Sequence, residues 1–429
     1  MFRLLFLFLL TAFPARADLF NERTFTLSNG MKVIVVENRR APVVTHMVWY
    51  KTGSIDDPAG KSGVAHLLEH MMFKGTKTVP DGEFSKIVAR NGGEENAFTS
   101  YDYTAYYQNI ARDRLELVMF LESDRMKNLR FDERDFAPEL EVVREERLMR
   151  TENNPSALLA EKRNAALWGE HPYGRPVIGF RQELPTLTPA DIRAFYKKHY
   201  TPDNAILVVA GDIDADELKP LAEKYYGRIP PSRKAVAKRQ FPISVPAKTK
   251  IEFSHPLAHV RTVSRTFPAP SYTSDGNPYA YAVLAEVLDA EPSGPMHAKL
   301  TETKKATTVS AYYNGFALDK GSFTLFAAAA DGTDLTDIEA VFDKGFSVRH
   351  KDVERAKKRL GSGMEFLTDD PQTTANVLGK AAVLGLDASV LEQWPEKIAA
   401  VTIEDVRAAW KKLMSSPFVT TFLTPEKKQ

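Results

Sequence analysis

The chain repeats one sequence pattern in its two halves. Segment 187–198 reads LTPADIRAFYKK and segment 401–412 reads VTIEDVRAAWKK, an offset of 214 residues. Each segment predicts a helix that begins after a capping threonine, Thr188 or Thr402, and each helix is followed by a β-type run, AILVVAG or FVTTFL. A repeat of this length indicates a duplicated domain and excludes a solenoid of short repeats.

The order of predicted elements within each half indicates the fold class. Predicted strands come first and last, and predicted helices dominate the middle. This order predicts two homologous α+β domains, each an antiparallel-rich sheet covered by helices on one face. We expect one domain over residues 18–230, a basic, proline-bearing linker over 231–248 and the second domain over 249–429.

The first seventeen residues, MFRLLFLFLLTAFPARA, have the features of a secretory signal peptide. An early cation, Arg3, precedes a short apolar run, and the segment ends in Ala-Arg-Ala. The apolar run is much shorter than the roughly 20 residues of a membrane span. We therefore expect an exported protein cleaved after Ala17, with no membrane attachment after cleavage; the alternative is an uncleaved anchor.

Composition excludes several classes of function. The chain has 57 Lys and Arg against 56 Asp and Glu, a net charge of +1, which argues against a general nucleic-acid-binding protein. It has no cysteine, so disulfides, thiolate metal sites and cysteine catalysis are excluded. Any bound metal must be held by His, Asp or Glu.

The segment SGVAHLLEHMMFKGT (62–76) carries the candidate site. It predicts a helix capped by Ser62, with His66 and His70 one turn apart on the same face. Two imidazoles in this arrangement can bind a single Zn²⁺ ion. Glu69 lies at the edge of that face, where it can act as a general base on a water molecule without binding the metal.

A third zinc ligand is expected from the glutamate-rich helix 132–150. Its apolar stripe consists of Val142, Val143 and Met149, and Glu146 lies on that stripe. An acid on the inward face is costly unless it is paired or binds a metal, so Glu146 is the predicted ligand. Glu139, two turns earlier on the same side, is predicted to support the site. The competing interpretation is that Glu139, Glu145 and Glu146 form ion pairs with Arg144, Arg147 and Arg150 of the same helix.

HLLEH followed by Glu146 after 76 residues resembles the inverted-zincin signature of the pitrilysin and insulinase family. The blocks NGGEENAFTSYDYTAYY, PELEVVREE and HPYGRPVIGF resemble that family too, and the resemblance spans essentially the whole chain after the signal peptide. It implies one zinc ion per chain on His66, His70 and Glu146, Glu69 as general base and Glu139 as the supporting acid. It also implies that the two-domain chain is half of a clamshell assembly.

The family resemblance also implies how a peptide binds. Peptides of such enzymes enter extended and add as a strand beside the segment that matches Asn96, Ala97, Phe98 and Thr99. The sequence itself agrees, because the turn signal Gly92-Gly93 precedes a strand whose edge can accept a peptide backbone.

The sequence departs from the family in its second half. Catalytic members carry an Arg and a Tyr there that hold the substrate carbonyl, whereas this chain has Pro295 and Thr308 at the matching positions. The second half also keeps Glu286 without neighbouring histidines. We therefore expect a heterodimer with a homologous subunit that lacks HxxEH and supplies the Arg and Tyr.

The predicted function is that of a zinc-dependent endopeptidase subunit that hydrolyses short or unfolded peptides in the periplasm of a Gram-negative bacterium. One alternative is a non-catalytic scaffold or assembly subunit of a larger complex. The other is a peptide-binding carrier with a structural zinc, which would normally have four protein ligands.

Overall fold

A computed structural model describes residues 19–232, 241 and 248–426. The predicted signal peptide (1–17) and most of the predicted linker (231–248) lie outside the described residues. The described residues form two β-sheets and the helices around them. None of the described helices is both long and apolar enough to cross a membrane.

The strands and helices have the following bounds. The strands are β1 (Glu22–Thr26), β2 (Lys32–Glu37), β3 (Val43–Tyr50), β4 (Glu94–Thr99), β5 (Thr104–Ala111), β6 (Ala205–Gly211), β7 (Thr249–His255), β8 (Thr262–Ala269), β9 (Ala306–Asn314), β10 (Gly321–Ala329) and β11 (Val419–Pro425). The α-helices are α1 (Val64–Met71), α2 (Glu83–Arg90), α3 (Leu115–Asn128), α4 (Glu133–Arg147), α5 (Pro155–Trp168), α6 (Pro189–His199), α7 (Ala215–Tyr225), α8 (Pro278–Asp289), α9 (Leu335–Lys344), α10 (His350–Gly363), α11 (Pro371–Val383), α12 (Ala388–Glu392), α13 (Trp394–Ala400) and α14 (Ile403–Ser415).

The two sheets share one topology. The first has the strand order β1-β2-β6-β3-β5-β4 and the second has β7-β11-β8-β10-β9, which is the same order without a counterpart of β1. The closing strand of each half, β6 or β11, pairs in parallel with one early strand and antiparallel with the next. The remaining pairings are antiparallel. The predicted architecture of two α+β domains is confirmed.

The repeated segments form equivalent elements. Thr188 begins α6 and Thr402 begins α14, and each side chain accepts a hydrogen bond from the backbone N–H of the aspartate three residues later. That aspartate in turn accepts from the N–H of the threonine, which completes a capping box. The β-type runs that follow form β6 and β11.

Helices cover both faces of the first sheet, so the prediction of one covered face is wrong. Every residue of β6 is buried, which requires cover on both sides of the strand. On one face, Leu207 and Val209 belong to a core formed with helices of the first half. On the other face, Ile206 and Val208 pack in a core with Leu378 of α11, which comes from the second half.

The second sheet receives the same kind of cover from the first half. Leu159 of α5 packs with Leu423 of β11, and Leu167 of α5 packs in one cluster with Val419. Helix α5 follows α4 as α11 follows α10, so the two helices occupy equivalent places in the repeat. Each half therefore contributes one helix to the sheet of the other half: α11 packs on the first sheet and α5 on the second. Helix α5 follows the helix of Glu146 and so links that helix to the second sheet.

Gly379 of α11 allows this helix to pack closely on the first sheet. A Cβ atom built on Gly379 would lie 2.1 Å from Nε1 of Trp49 in β3. We expect Gly379→Ala to lower the free energy of unfolding by about 1–3 kcal/mol through overpacking, as measured by chemical denaturation.

Gly361→Ala is the matched control for this packing prediction. Gly361 also lies in a helix, α10, but no atom lies within 4 Å of its Cβ position. This substitution should raise the free energy of unfolding by up to about 1 kcal/mol, because alanine favours a helix. Equal effects of the two substitutions would contradict the close packing of α11.

Candidate active site

Helix α1 carries the HxxEH residues and is anchored at its N-terminus by an acid from the preceding turn. The helix follows Gly63, whose φ is 92°. Asp57 accepts hydrogen bonds from the backbone N–H groups of Gly63 (2.7 Å) and Ala65 (2.9 Å). The predicted cap, Ser62, does not hold the helix; its Oγ accepts a bond from the N–H of Phe180 at 2.9 Å.

Three predicted ligands come together between α1 and α4. Oε2 of Glu146 lies 3.3 Å from Nε2 of His70 and 3.7 Å from Nε2 of His66. The potential ligand atoms of the three residues all lie within 4.8 Å of one another. Four-coordinate zinc with bonds of about 2.0–2.2 Å separates neighbouring ligand atoms by roughly 3.3–3.6 Å, so the triad fits this ion.

Neighbouring charged groups hold two of these ligands in place. Oε1 of Glu139 lies 2.9 Å from Nδ1 of His70, and its Oε2 lies 2.6 Å from Nζ of Lys74. Oε1 of Glu146 lies 2.6 Å from Nη1 of Arg150. These contacts leave Nε2 of His70 and Oε2 of Glu146 directed at the centre of the triad, an arrangement typical of metal sites.

The pKa values of the three triad residues are shifted in different directions. Burial, followed by the neighbouring His70, lowers the pKa of His66 to about 4. Burial acts in the same direction on His70, but hydrogen bonds to Glu139 and Glu146 outweigh it and raise the pKa of His70 to about 9. The hydrogen bond with His70 is the main reason that the pKa of Glu146 is lowered. A metal ion bound here would displace the proton of His70.

Glu69 lies beside the triad without joining it. Its Oε2 accepts a hydrogen bond from the hydroxyl of Thr99, the last residue of β4. Burial raises the pKa of Glu69, and the bond from Thr99 partly opposes that shift. A half-buried carboxylate with a raised pKa is suited to proton transfer near neutral pH.

A cavity of about 880 Å³ opens over the triad and is lined by α1, β4 and α4. The apolar stripe predicted to face inward is buried only at Val143. Val142 is 50% exposed and Met149 is 66% exposed, and both line the cavity. The prediction is wrong for these two residues because α4 lies at the rim of the cavity.

The competing ion-pair interpretation holds for Glu146, which pairs with Arg150. Arg144 pairs with Glu141, at 2.5 Å, which that interpretation did not include. Glu139, however, contacts His70 and Lys74 on α1 and the turn that follows it. Glu139 and Glu146 therefore contact the histidines of α1, whereas Glu141 is exposed and contacts Arg144.

Strand β4 forms one edge of the first sheet. Within the described residues it pairs with β5 alone. The four residues predicted to contact a peptide line the cavity: Asn96, Ala97, Phe98 and Thr99. Their role in peptide binding stays a prediction, and Thr99 has a second contact, with Glu69.

The described residues of the second half form no equivalent triad. Val283 and Val287 of α8 stand where α1 has its histidines, and both are buried. Glu286 matches Glu69 but pairs with Arg359, whose Nε lies 2.8 Å from Oε1. In the part of the chain that the structure describes, the triad of the first half is the one group of three residues with metal-binding geometry.

The two positions that depart from the family pattern do not line the cavities next to the triad. Pro295 is buried, and Thr308 is exposed on β9. Neither residue lines the cavities that contain His66 and Glu146. Pro295 and Thr308 therefore do not form part of the candidate site in the first half of the same chain.

Residues 32–180 match the family model described as insulinase, peptidase family M16, and residues 186–360 match the model described as the peptidase M16 inactive domain. The chain belongs to peptidase family M16. This result confirms the family predicted from HLLEH. The M16 description of the second segment as inactive agrees with the loss of both histidines from α8.

The M16 relatives match nearly the whole chain. It is 28% identical over 426 residues to the zinc protease PqqE of Helicobacter pylori, covering 96% of this chain and 94% of that protein. It is 29% identical over 415 residues to an uncharacterized zinc protease of Mycobacterium leprae, with coverages of 93% and 91%.

Solved M16-like structures share the fold. A protease from Helicobacter pylori matches with a TM-score of 0.85 and 26% identity, covering 94% of this chain and 99% of that one. The periplasmic protease PqqL of Escherichia coli matches with a TM-score of 0.80 and 21% identity, covering 94% of this chain but 47% of PqqL. PqqL is therefore about twice as long as the region it shares with this chain.

The contact between Glu139 and His70 predicts a role in metal affinity. We expect Glu139→Ala to weaken zinc binding by about 10- to 100-fold, because His70 loses the group that fixes its ring. Competition with a chromophoric chelator measures this affinity. Glu141→Ala is the control on the same helix, since Glu141 pairs with the exposed Arg144. Equal zinc affinities of the two variants would show that Glu139 does not support zinc binding.

Proposed function

We propose that this chain is a zinc-dependent endopeptidase subunit that hydrolyses short or unfolded peptides. The observation that supports this proposal is the triad of His66, His70 and Glu146 with Glu69 beside it. Three protein ligands leave one coordination position for water, as catalytic zinc requires. A structural zinc would use four protein ligands, and Glu69 is held away by Thr99.

Each residue of the site has a separate role in the proposed hydrolysis of a peptide bond. A zinc ion in the triad would lower the pKa of a water molecule to about 7 and polarise the scissile carbonyl. Glu69 would accept a proton from the water as its oxygen attacks the carbonyl carbon, and would donate that proton to the amine nitrogen as the C–N bond breaks. Thr99 orients the carboxylate of Glu69, while Glu139 and Arg150 orient His70 and Glu146.

The edge of β4 favours an extended substrate. A peptide that pairs with Asn96, Ala97, Phe98 and Thr99 would gain backbone hydrogen bonds and lie across the cavity. Pairing of this kind requires an unfolded backbone. The substrate is therefore a short peptide or an unfolded segment.

We infer that a homologous subunit without HxxEH completes the site as a heterodimer. Pro295 and Thr308 stand where catalytic relatives have an Arg and a Tyr, and neither lines the cavity. The loss of one such donor typically slows catalysis by about a hundred- to a thousand-fold. The length of PqqL, which has room for two such units, supports this arrangement.

We also propose that the protein works in the periplasm. The signal-like segment 1–17 supports export, and PqqL is described as periplasmic. N-terminal sequencing of the protein from the periplasmic fraction should begin at Asp18. An intact Met1 in the membrane fraction would instead establish an uncleaved anchor.

Cleavage of a quenched, unstructured peptide tests the proposed activity. The zinc-loaded chain together with its homologous partner should cleave the peptide, and Glu69→Gln should slow cleavage by about a hundred- to ten-thousand-fold, because the general base is lost. The variant should still bind zinc, since Glu69 lies outside the triad.

The same assay separates the proposed subunit from its alternatives. The chain alone should be slower than the pair by about a hundred-fold or more, because it lacks the partner's donors. Full turnover by the chain alone would contradict the shared site. Bound zinc without cleavage, even with the partner present, would favour a scaffold subunit.

A further inference from the structure

A second cavity, of about 370 Å³, lies at the junction of the two halves. Its first wall contains Tyr101 and Asp102, which follow β4, and Arg163 of α5. Its second wall is the second sheet, including Tyr312 and Thr324. We call this cavity the junction pocket. It lies outside the group of residues assigned to the triad and its base.

The junction pocket shares lining residues with a cavity next to the triad. That cavity, of about 360 Å³, is lined by His66 and Glu146 of the triad and by Tyr101 and Asn164. Tyr101 and Asn164 also line the junction pocket. A peptide that lies beside β4 and continues past Thr99 therefore reaches the junction pocket within a few residues.

Arg163 brings a positive charge into the junction pocket. Its guanidinium is half-buried, and Nε and Nη2 donate to Oδ1 of Asn164 at 3.2 Å and 3.0 Å. Across the described ranges, no carboxylate lies within ion-pair distance of Arg163. Burial lowers its pKa. A carboxylate from a ligand would satisfy such a guanidinium through two parallel hydrogen bonds.

The other charges of the junction pocket also favour an anionic ligand. Lys320 is exposed at its rim. Asp102 is the acid on its wall, but both carboxylate oxygens accept from the hydroxyl of Tyr173, at 2.8 Å and 2.7 Å. One of them also accepts from the N–H of Leu318 at 3.1 Å. These bonds fix the carboxylate of Asp102 in the wall but leave its negative charge, so the lining carries two cations, Arg163 and Lys320, and one anion.

We propose that the junction pocket binds an acidic side chain of the peptide substrate and that Arg163 determines this specificity. The proposal rests on the proposed peptidase function. It predicts a preference for Glu or Asp at one position, a few residues from the scissile bond, on the side of the peptide that faces α5.

Binding to a chain that does not cleave tests this specificity. The zinc-loaded Glu69→Gln chain is titrated into fluorescent, unstructured decapeptides in which a single Glu or Gln occupies each position in turn. Fluorescence anisotropy measures each Kd. We expect Glu to bind at least about ten-fold more tightly than Gln at one position, which corresponds to about 1.4 kcal/mol.

Substitution of Arg163 identifies the residue responsible. Arg163→Gln should bring the ratio of the Kd values of the Gln and Glu peptides to about one, and Arg163→Lys should keep part of the preference. Lys162→Gln is the control, because Lys162 neighbours Arg163 on α5 but its Nζ lies over the ring of Phe253, at 5.6 Å. Unfolding midpoints of all variants establish that each remains folded.

Two outcomes would overturn the junction-pocket proposal: no position that prefers Glu, or a preference that persists in Arg163→Gln. Failure of the peptidase proposal would look different, because the wild-type chain with its partner would leave the peptide uncut. The binding preference is measured without cleavage and would stand in that case.

Discussion

The contact between α1 and α4 places two imidazoles and one carboxylate around a common centre, and the rest of the candidate site depends on it. Leu67 and Leu68 on the inner face of α1 are fully buried, so the helix cannot shift without opening the core. Asp57 fixes the first turn of α1 through two backbone hydrogen bonds. Arg150 and Glu139 then fix the ligands themselves, so the triad is preorganised before a metal arrives.

The duplicated fold carries a candidate metal site in one half only of the chain's described residues. Both halves use the same strand order, and α8 keeps a glutamate at the position of Glu69. In α8, however, buried valines replace the histidines, and Arg359 neutralises Glu286. The exchange of α5 and α11 joins the two halves. It also brings α5, which follows the helix of Glu146, against the second sheet, where the junction pocket forms.

Features set by local spacing could be predicted from the sequence, whereas features set by distant contacts could not. The i, i+4 spacing of His66 and His70 was sufficient to predict that both imidazoles lie on one face of α1. Glu146 was chosen from its position on the stripe of its helix, but its contact with α1 is a distant one that this position does not predict. The capping function of Asp57 was missed, because it depends on a turn that folds back onto α1. The cover of each sheet by the other half was missed too, because periodicity shows that a helix has an apolar face but not which sheet that face meets.

The zinc content of purified chains tests the central claim most directly. Elemental analysis after dialysis should find one zinc per chain in the wild type and in Glu69→Gln. It should find essentially none in His70→Ala, because that variant retains two of the three ligands and cannot hold the ion tightly. Zinc retained in full by His70→Ala, or lost from Glu69→Gln, would contradict the assignment of His66, His70 and Glu146 as the metal site.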